Sequence, residues 1–142
     1  MSDPALQAVA AELLRGGGLL ANATTPDPLE ATRFGAEAQG PRTAAHPDDY
    51  AFLVEAIREG YEQHYGNSRM LDTQADLDLA LLAGDRLYAL GLARLAELGD
   101  LEGVGILAGV ISQCARAHAE GRPEQAEQVW REGLMALSGR GD

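Results

Sequence analysis

The chain has 142 residues, 46% hydrophobic, 5% aromatic and 23% charged, which suits one compact domain with a single core. Its 22 acidic and 11 basic side chains give a formal net charge of -11, a field that repels phosphate backbones and anionic lipid head groups and sets nucleic acid aside as a partner. Every basic side chain is arginine, so Schiff-base chemistry and a P-loop lysine are both excluded.

Cys114 is the single cysteine and has no internal disulfide partner. Met1 to Ala10 carries an Asp and no basic stretch of the kind that opens a signal peptide. The longest uncharged apolar run, Gly103 to Ile111, falls short of the roughly 20 residues that a membrane-spanning helix needs. The expectation is a cytoplasmic protein without a transmembrane segment.

In chain order, Asp3 as N-cap and Pro4 at the first helical position open a helix over 3–15. It carries Leu6, Val9, Leu13 and Leu14 at helical spacing and stops at Gly16, Gly17 and Gly18. Residues 16–46 read as a connector. Between Leu19 and Ala45 it contains Pro26, Pro28 and Pro41, with room for one helical turn near Leu29 to Phe34. Such a length without secondary structure points to a segment that wraps a surface, moves, or orders on a partner.

A helical core over 47–138 follows. Pro47, Asp48 and Asp49 open a helix whose Tyr50, Leu53, Val54, Ile57, Tyr61 and Tyr65 recur every three or four residues and read as core. Its other face, with Glu55, Arg58, Glu59 and Glu62, reads as solvated. From about Asp72 to Leu98, leucines at 77, 79, 81, 82, 87, 90, 92 and 95 lie on all sides, which predicts a central, buried helix.

Gly99 and Asp100 break the chain before a helix from Leu101 to about Ala119, with Val104, Leu107, Ile111 and Cys114 on one face. Its Gly105 and Gly109 each cost about 1 kcal/mol relative to Ala, so a closely approaching neighbour helix is expected to compensate. After Gly121, Pro123 opens a last helix with the stripe Ala126, Val129, Trp130, Leu134 and Leu137, and 139–142 form a polar tail. The prediction is an all-α, single-domain bundle of about five helices around a central buried helix. The two similar Gly turns, at Gly99 and Gly121, stand too close for tetratricopeptide-type repeats.

Two constellations bear on chemistry. Asp72, Asp76, Asp78 and Asp85 surround the start of the leucine-rich helix, and carboxylates at helical spacing are what a Mg²⁺-diphosphate site needs. The plain account places Asp72 to Asp78 in the first turns, where the helix dipole favours anions, and pairs Asp85 with an arginine. Cys114 and His118 stand four apart, a spacing that can hold a metal or activate a thiolate, with His46 or His64 as the third ligand. No CxxC or HExxH accompanies them, so the plain account is a core thiol and a histidine near a helix C-terminus. No Gly-rich phosphate loop and no GxSxG occurs. No catalytic, cofactor-binding or metal residue is assigned, and Mg²⁺ stays an alternative tied to the four aspartates.

The stretch Leu79-Ala80-Leu81-Leu82-Ala83-Gly84-Asp85-Arg86-Leu87, continuing through Leu90 to Gly99-Asp100, resembles the central helix of the trans-polyprenyl diphosphate synthases, with their Leu-x-Gly-Asp-x-Leu pattern and Gly-Asp turn. The likeness covers roughly residues 72 to 121. Where that family carries Asp-Asp-x-x-Asp, this chain reads Ala56-Ile57-Arg58-Glu59-Gly60-Tyr61-Glu62, and the family's diphosphate-binding lysines have no counterpart. The resemblance therefore implies a truncated, non-catalytic relative, similar to the small subunit of heteromeric synthases, with Asp85 as a buried polar group satisfied by backbone or by an arginine. The expected function is that of an accessory or regulatory subunit that pairs through apolar helices with a larger prenyl-synthase-like catalytic chain or with itself. The competing readings are a small helical adaptor or homodimeric protein-binding module unrelated to isoprenoids, and a Mg²⁺ enzyme built on the aspartates.

Overall fold

The computed structural model of the chain describes residues 4–16, 18, 34–66 and 76–140. Within them lie α1 (Pro4–Arg15), a 3-10 turn (Gly35–Ala38), α2 (Pro47–Tyr65), α3 (Leu77–Glu97), α4 (Leu101–Ala119) and α5 (Glu124–Ser138). The protein is an all-α, single-domain bundle. The expected N-cap Asp3 and most of the expected turn at 29–34 lie outside the described residues.

Local chemistry sets the helix starts. Pro47 occupies the first turn of α2 with Asp48 and Asp49 beside it, where the dipole favours anions. Asp76 caps α3 by accepting from Leu79 N at 3.0 Å, and Asp100 caps α4 by accepting from Gly103 N at 2.9 Å. The turns before α4 and α5 use Gly99 and Gly121 at φ of 76° and 72°, a left-handed conformation that glycine adopts without steric cost.

The central helix is α2. Its run from Phe52 to Tyr61 is buried without a break. It packs most extensively on α3, with α1 and the 3-10 turn on other sides. The leucine-rich α3 is instead peripheral, because it buries its small residues, Ala80, Ala83, Gly84 and Gly91, together with Leu87 and Leu95. Gly84 and Gly60 face each other so closely that a Cβ on either would stand 3.0–3.1 Å from the other's carbonyl oxygen. This close backbone approach leaves Leu77, Leu81 and Leu82 facing outward.

The apolar interior forms two clusters instead of the single expected core. The larger joins Leu53, Ile57 and Tyr61 of α2 to Leu95, Leu107, Cys114, Trp130 and Leu134. The smaller sets Leu6, Val9 and Leu13 of α1 against Phe52, Ala56, Ala83 and Leu87. The amphipathic stripes of α1 and α5 thus bury as their spacing predicts.

Among the described residues, Gly105 and Gly109 do not mark a close helix approach. A Cβ at Gly105 would meet nothing within 4 Å, and one at Gly109 would meet only the Gln113 side chain at 3.6 Å. On α5, by contrast, a Cβ at Gly133 would stand 2.3 Å from Val110 Cγ2, so the glycine that serves the α4–α5 contact is Gly133.

Candidate functional site

Helix α2 carries an ionisable row inside the bundle. Glu55 and Glu59 are fully buried and Arg58 is 5% exposed, contrary to the solvated face expected of them. Glu55 Oε2 accepts from the backbone N–H groups of Phe34 and Gly35 at 3.1 and 3.3 Å, so it caps the 3-10 turn. Arg58 is the hub of the row. Its Nε donates to Glu62 at 3.0 Å and its Nη2 to Glu127 of α5 at 2.9 Å.

The Arg58 guanidinium also lies over the rings of Phe34, Tyr61 and Trp130, 4.2, 4.8 and 5.3 Å from their centroids, an arrangement in which π-faces stabilise a desolvated cation. Its Nη1 and Trp130 Nε1 have no hydrogen-bond partner among the described residues.

Toward the C-terminal end of α2, Tyr61 Oη and His118 Nε2 share a hydrogen bond of 2.9 Å. Tyr65 stacks on His118 at 4.0 Å between centroids. His64 stacks on Tyr88 at 5.2 Å and lies 3.3 Å from Asp85. Burial pushes the Tyr61 phenol up to about 12 and raises those of Tyr65 and Tyr88, so these groups serve as neutral donors and apolar plates. His118 acts as an acceptor or donor for Tyr61, a lateral contact that its helix-terminal position does not announce.

Cys114 is a core thiol. Burial pushes its pKa up to about 11, which keeps the sulfur protonated and unreactive at neutral pH. His118 engages Tyr61, while His46 and His64 stand at opposite ends of α2, about 27 Å apart along its axis. His64 is turned toward Tyr88 and Asp85, and among the described residues no third His, Cys, Asp or Glu joins Cys114 and His118.

The aspartates are likewise dispersed. Asp72 lies outside the described residues. Asp76 is committed to its cap, Asp78 is exposed, and the Asp85 side chain is 76% exposed beside His64. Asp85 is thus not buried, and among the described residues its ion-pair partner is His64 and no arginine, because Gly84 takes the inward position next to it. Asp76 and Asp85 are separated by about 13 Å of helix. Among the described residues, no group of three His, Cys, Asp or Glu side chains could hold a metal ion.

A second polar junction ties the ends of the bundle together. Asp100 accepts from Tyr50 Oη at 2.6 Å and from Arg42 Nη2 at 2.9 Å, while Arg42 Nη1 donates to Leu137 O at 2.8 Å. Burial pushes the Asp100 carboxyl up, but the hydrogen bonds from Tyr50, Gly103 and Arg42 together outweigh it and leave its pKa below the ordinary value. A lowered folded-state pKa means that the stabilisation is present above the unfolded-state value near 3.9 and is lost as pH falls through the folded-state value. Asp100→Asn is expected to cost about 1–2 kcal/mol at pH 7 and to make stability fall less steeply on acidification. Urea denaturation at neutral and acidic pH checks both effects.

The described residues line two further open depressions. One, of about 700 Å³, lies between α1 and the start of α2 and is lined by Ala8, Glu12, Asp48, Phe52 and Arg94. Arg94 within it is held by Asp49 at 2.9 Å and lies over Phe52. The other runs between α4 and α5, about 530 Å³ around Arg42, Ile106 and Met135. It continues past Ile106 and Glu132 into about 260 Å³ floored by Gly105, Gly109 and Gly133.

Arg58 and Glu55 were legible only as a charged pattern. The available signal was that Leu53, Val54, Ala56 and Ile57 surround them on the same turns. No helix among the described residues is long and apolar enough to cross a membrane. The chain matches no protein-family model, no curated protein and no solved structure.

Proposed function

We propose that this chain is a non-catalytic accessory subunit that pairs, through apolar helix surface, with a larger prenyl-synthase-like catalytic chain in the cytoplasm. The observation that carries the reading is the outward face of α3, the helix whose sequence resembles the synthases. Leu77, Leu82 and Leu81 are 74%, 56% and 43% exposed there. Complete burial of a leucine stabilises an assembly by about 1.5–3 kcal/mol, so three within two turns form an anchor of the size that interface hot spots have.

Light scattering behind size exclusion tests the proposal, with the chain run alone and then mixed with the catalytic chain of the same source. One heteromeric peak that regains synthase activity is expected, and Leu81→Asp/Leu82→Asp should weaken the complex more than 10-fold. Two species that elute separately at micromolar concentration would rule the reading out. The groove between α4 and α5 favours a second reading, an adaptor that seats a partner's helix against Ile106 and Met135. That reading gains if the mixture does not associate while a helical peptide protects this groove.

A further inference from the structure

The contact between α2 and α5 encloses donors that the chain's own oxygens leave over. Arg58 and Trp130 are 5% and 2% exposed, and no acceptor among the described residues reaches Arg58 Nη1 or Trp130 Nε1. Both groups are donors only. Folded proteins pair nearly all such groups, because a buried donor without an acceptor keeps the full cost of its lost hydration. Two of them on facing helices require an acceptor from outside the chain's own oxygens.

The remaining contacts hold both side chains in place. Arg58 Nε and Nη2 meet Glu62 at 3.0 and 2.9 Å, and Nη2 also meets Glu127 at 2.9 Å. The guanidinium lies over Phe34 and Tyr61, 4.2 and 4.8 Å from their ring centroids. Turning Nη1 toward another partner would break these bonds and stacks. The Trp130 ring stands 5.3 Å from Arg58 Cζ and meets Tyr61 edge-on at 5.9 Å, so the indole is fixed beside the guanidinium.

We propose that this corner between α2 and α5 binds an uncharged oxygen acceptor, and that the occupant is one internal water molecule accepting from Arg58 Nη1 and Trp130 Nε1. Charge decides against an anion. The one cation already faces the carboxylates of Glu62 and Glu127, and Glu55 and Glu59 are fully buried on the same helix. A phosphate or a further carboxylate would bring uncompensated negative charge into a poorly solvated place. Burial decides against a larger ligand, since both side chains are closed to bulk solvent. Water supplies a lone pair to each of two donors and carries no charge, as internal waters do at otherwise unpaired polar groups. The site is independent of the pairing proposed for α3.

Trp130 is the one tryptophan of the chain, so its indole N–H gives a single proton resonance. Water-selective NOE and ROE spectra of the full chain test the proposal through that proton. A direct cross-peak to water is expected, with the sign that marks a residence longer than that of surface hydration. Tyr61→Phe removes the neighbouring hydroxyl that could relay the signal, and it should keep the cross-peak. Arg58→Met should lose the cross-peak while its helical circular dichroism persists. Inorganic phosphate should leave the indole shift unchanged. A wild-type indole proton without a water cross-peak would overturn the inference, as would a cross-peak that vanishes in Tyr61→Phe or survives in a folded Arg58→Met variant. A saturable shift with phosphate would also overturn it, by showing an anion site. The wild-type and Tyr61→Phe spectra decide the question if Arg58→Met does not fold.

Discussion

Arg58→Ala is expected to destabilise the protein by about 3–5 kcal/mol, the usual cost of breaking a buried ion pair from one side. The substitution leaves Glu62, whose side chain is 17% exposed, without its guanidinium. It also opens space among Phe34, Tyr61 and Trp130, which the cation now fills. Domains are commonly stable by only about 5–15 kcal/mol, so chemical denaturation should show a large loss. Arg58→Met, which restores volume but not charge, should lie between the two. Glu127→Gln should cost less than about 1 kcal/mol, because the Glu127 side chain is 58% exposed and its pairing is screened by water. Equal losses for Arg58→Ala and Glu127→Gln would show that the row is a surface network and not part of the interior.

Gly60→Val is the second large effect, with an expected loss of about 3 kcal/mol. Its Cβ would stand 2.7 Å from the Tyr88 ring and 3.0 Å from the Gly84 carbonyl oxygen, and neither a ring packed on His64 nor a helix backbone can give way cheaply. The matching control is Gly109→Ala, where only a Gln113 side chain is near and helix propensity should add about 0.5–1 kcal/mol of stability. Thermal unfolding of the two variants beside wild type reads opposite signs.

These two positions also mark what could be read in the sequence. The stripes of α1 and α5 were legible because a helix buried on one side must repeat its apolar residues with a period near 3.6, and the signals at Pro47 and at Gly99-Asp100 stand next to the helices they start. Helix α3 misleads because leucine count says how apolar a face is, not how near a neighbour's backbone can come. Against Gly60 the inner face must be small, so Ala80, Ala83 and Gly84 turn inward and Leu81 and Leu82 remain outside.

Gly84 therefore has a packing reason of its own beside its place in the synthase-like pattern. The charged row of α2 was read as solvated because its partners, the amides of Phe34 and Gly35 and the Glu127 carboxylate, are supplied by distant segments. In the same way, glycine at 105 and at 60 look alike in sequence and differ only in what stands opposite. The aspartates were a plausible cluster by spacing, yet a helix start uses such residues one at a time, as Asp76 does in its cap.

The most direct measurement of the central claim is hydrogen exchange of this chain, free and then mixed with the catalytic prenyl-synthase-like chain. The account predicts slowed exchange over Leu77 to Ala83, where the outward leucines of α3 would be covered, with α1 unchanged. Exchange over α3 that is identical in the free and mixed samples would contradict it.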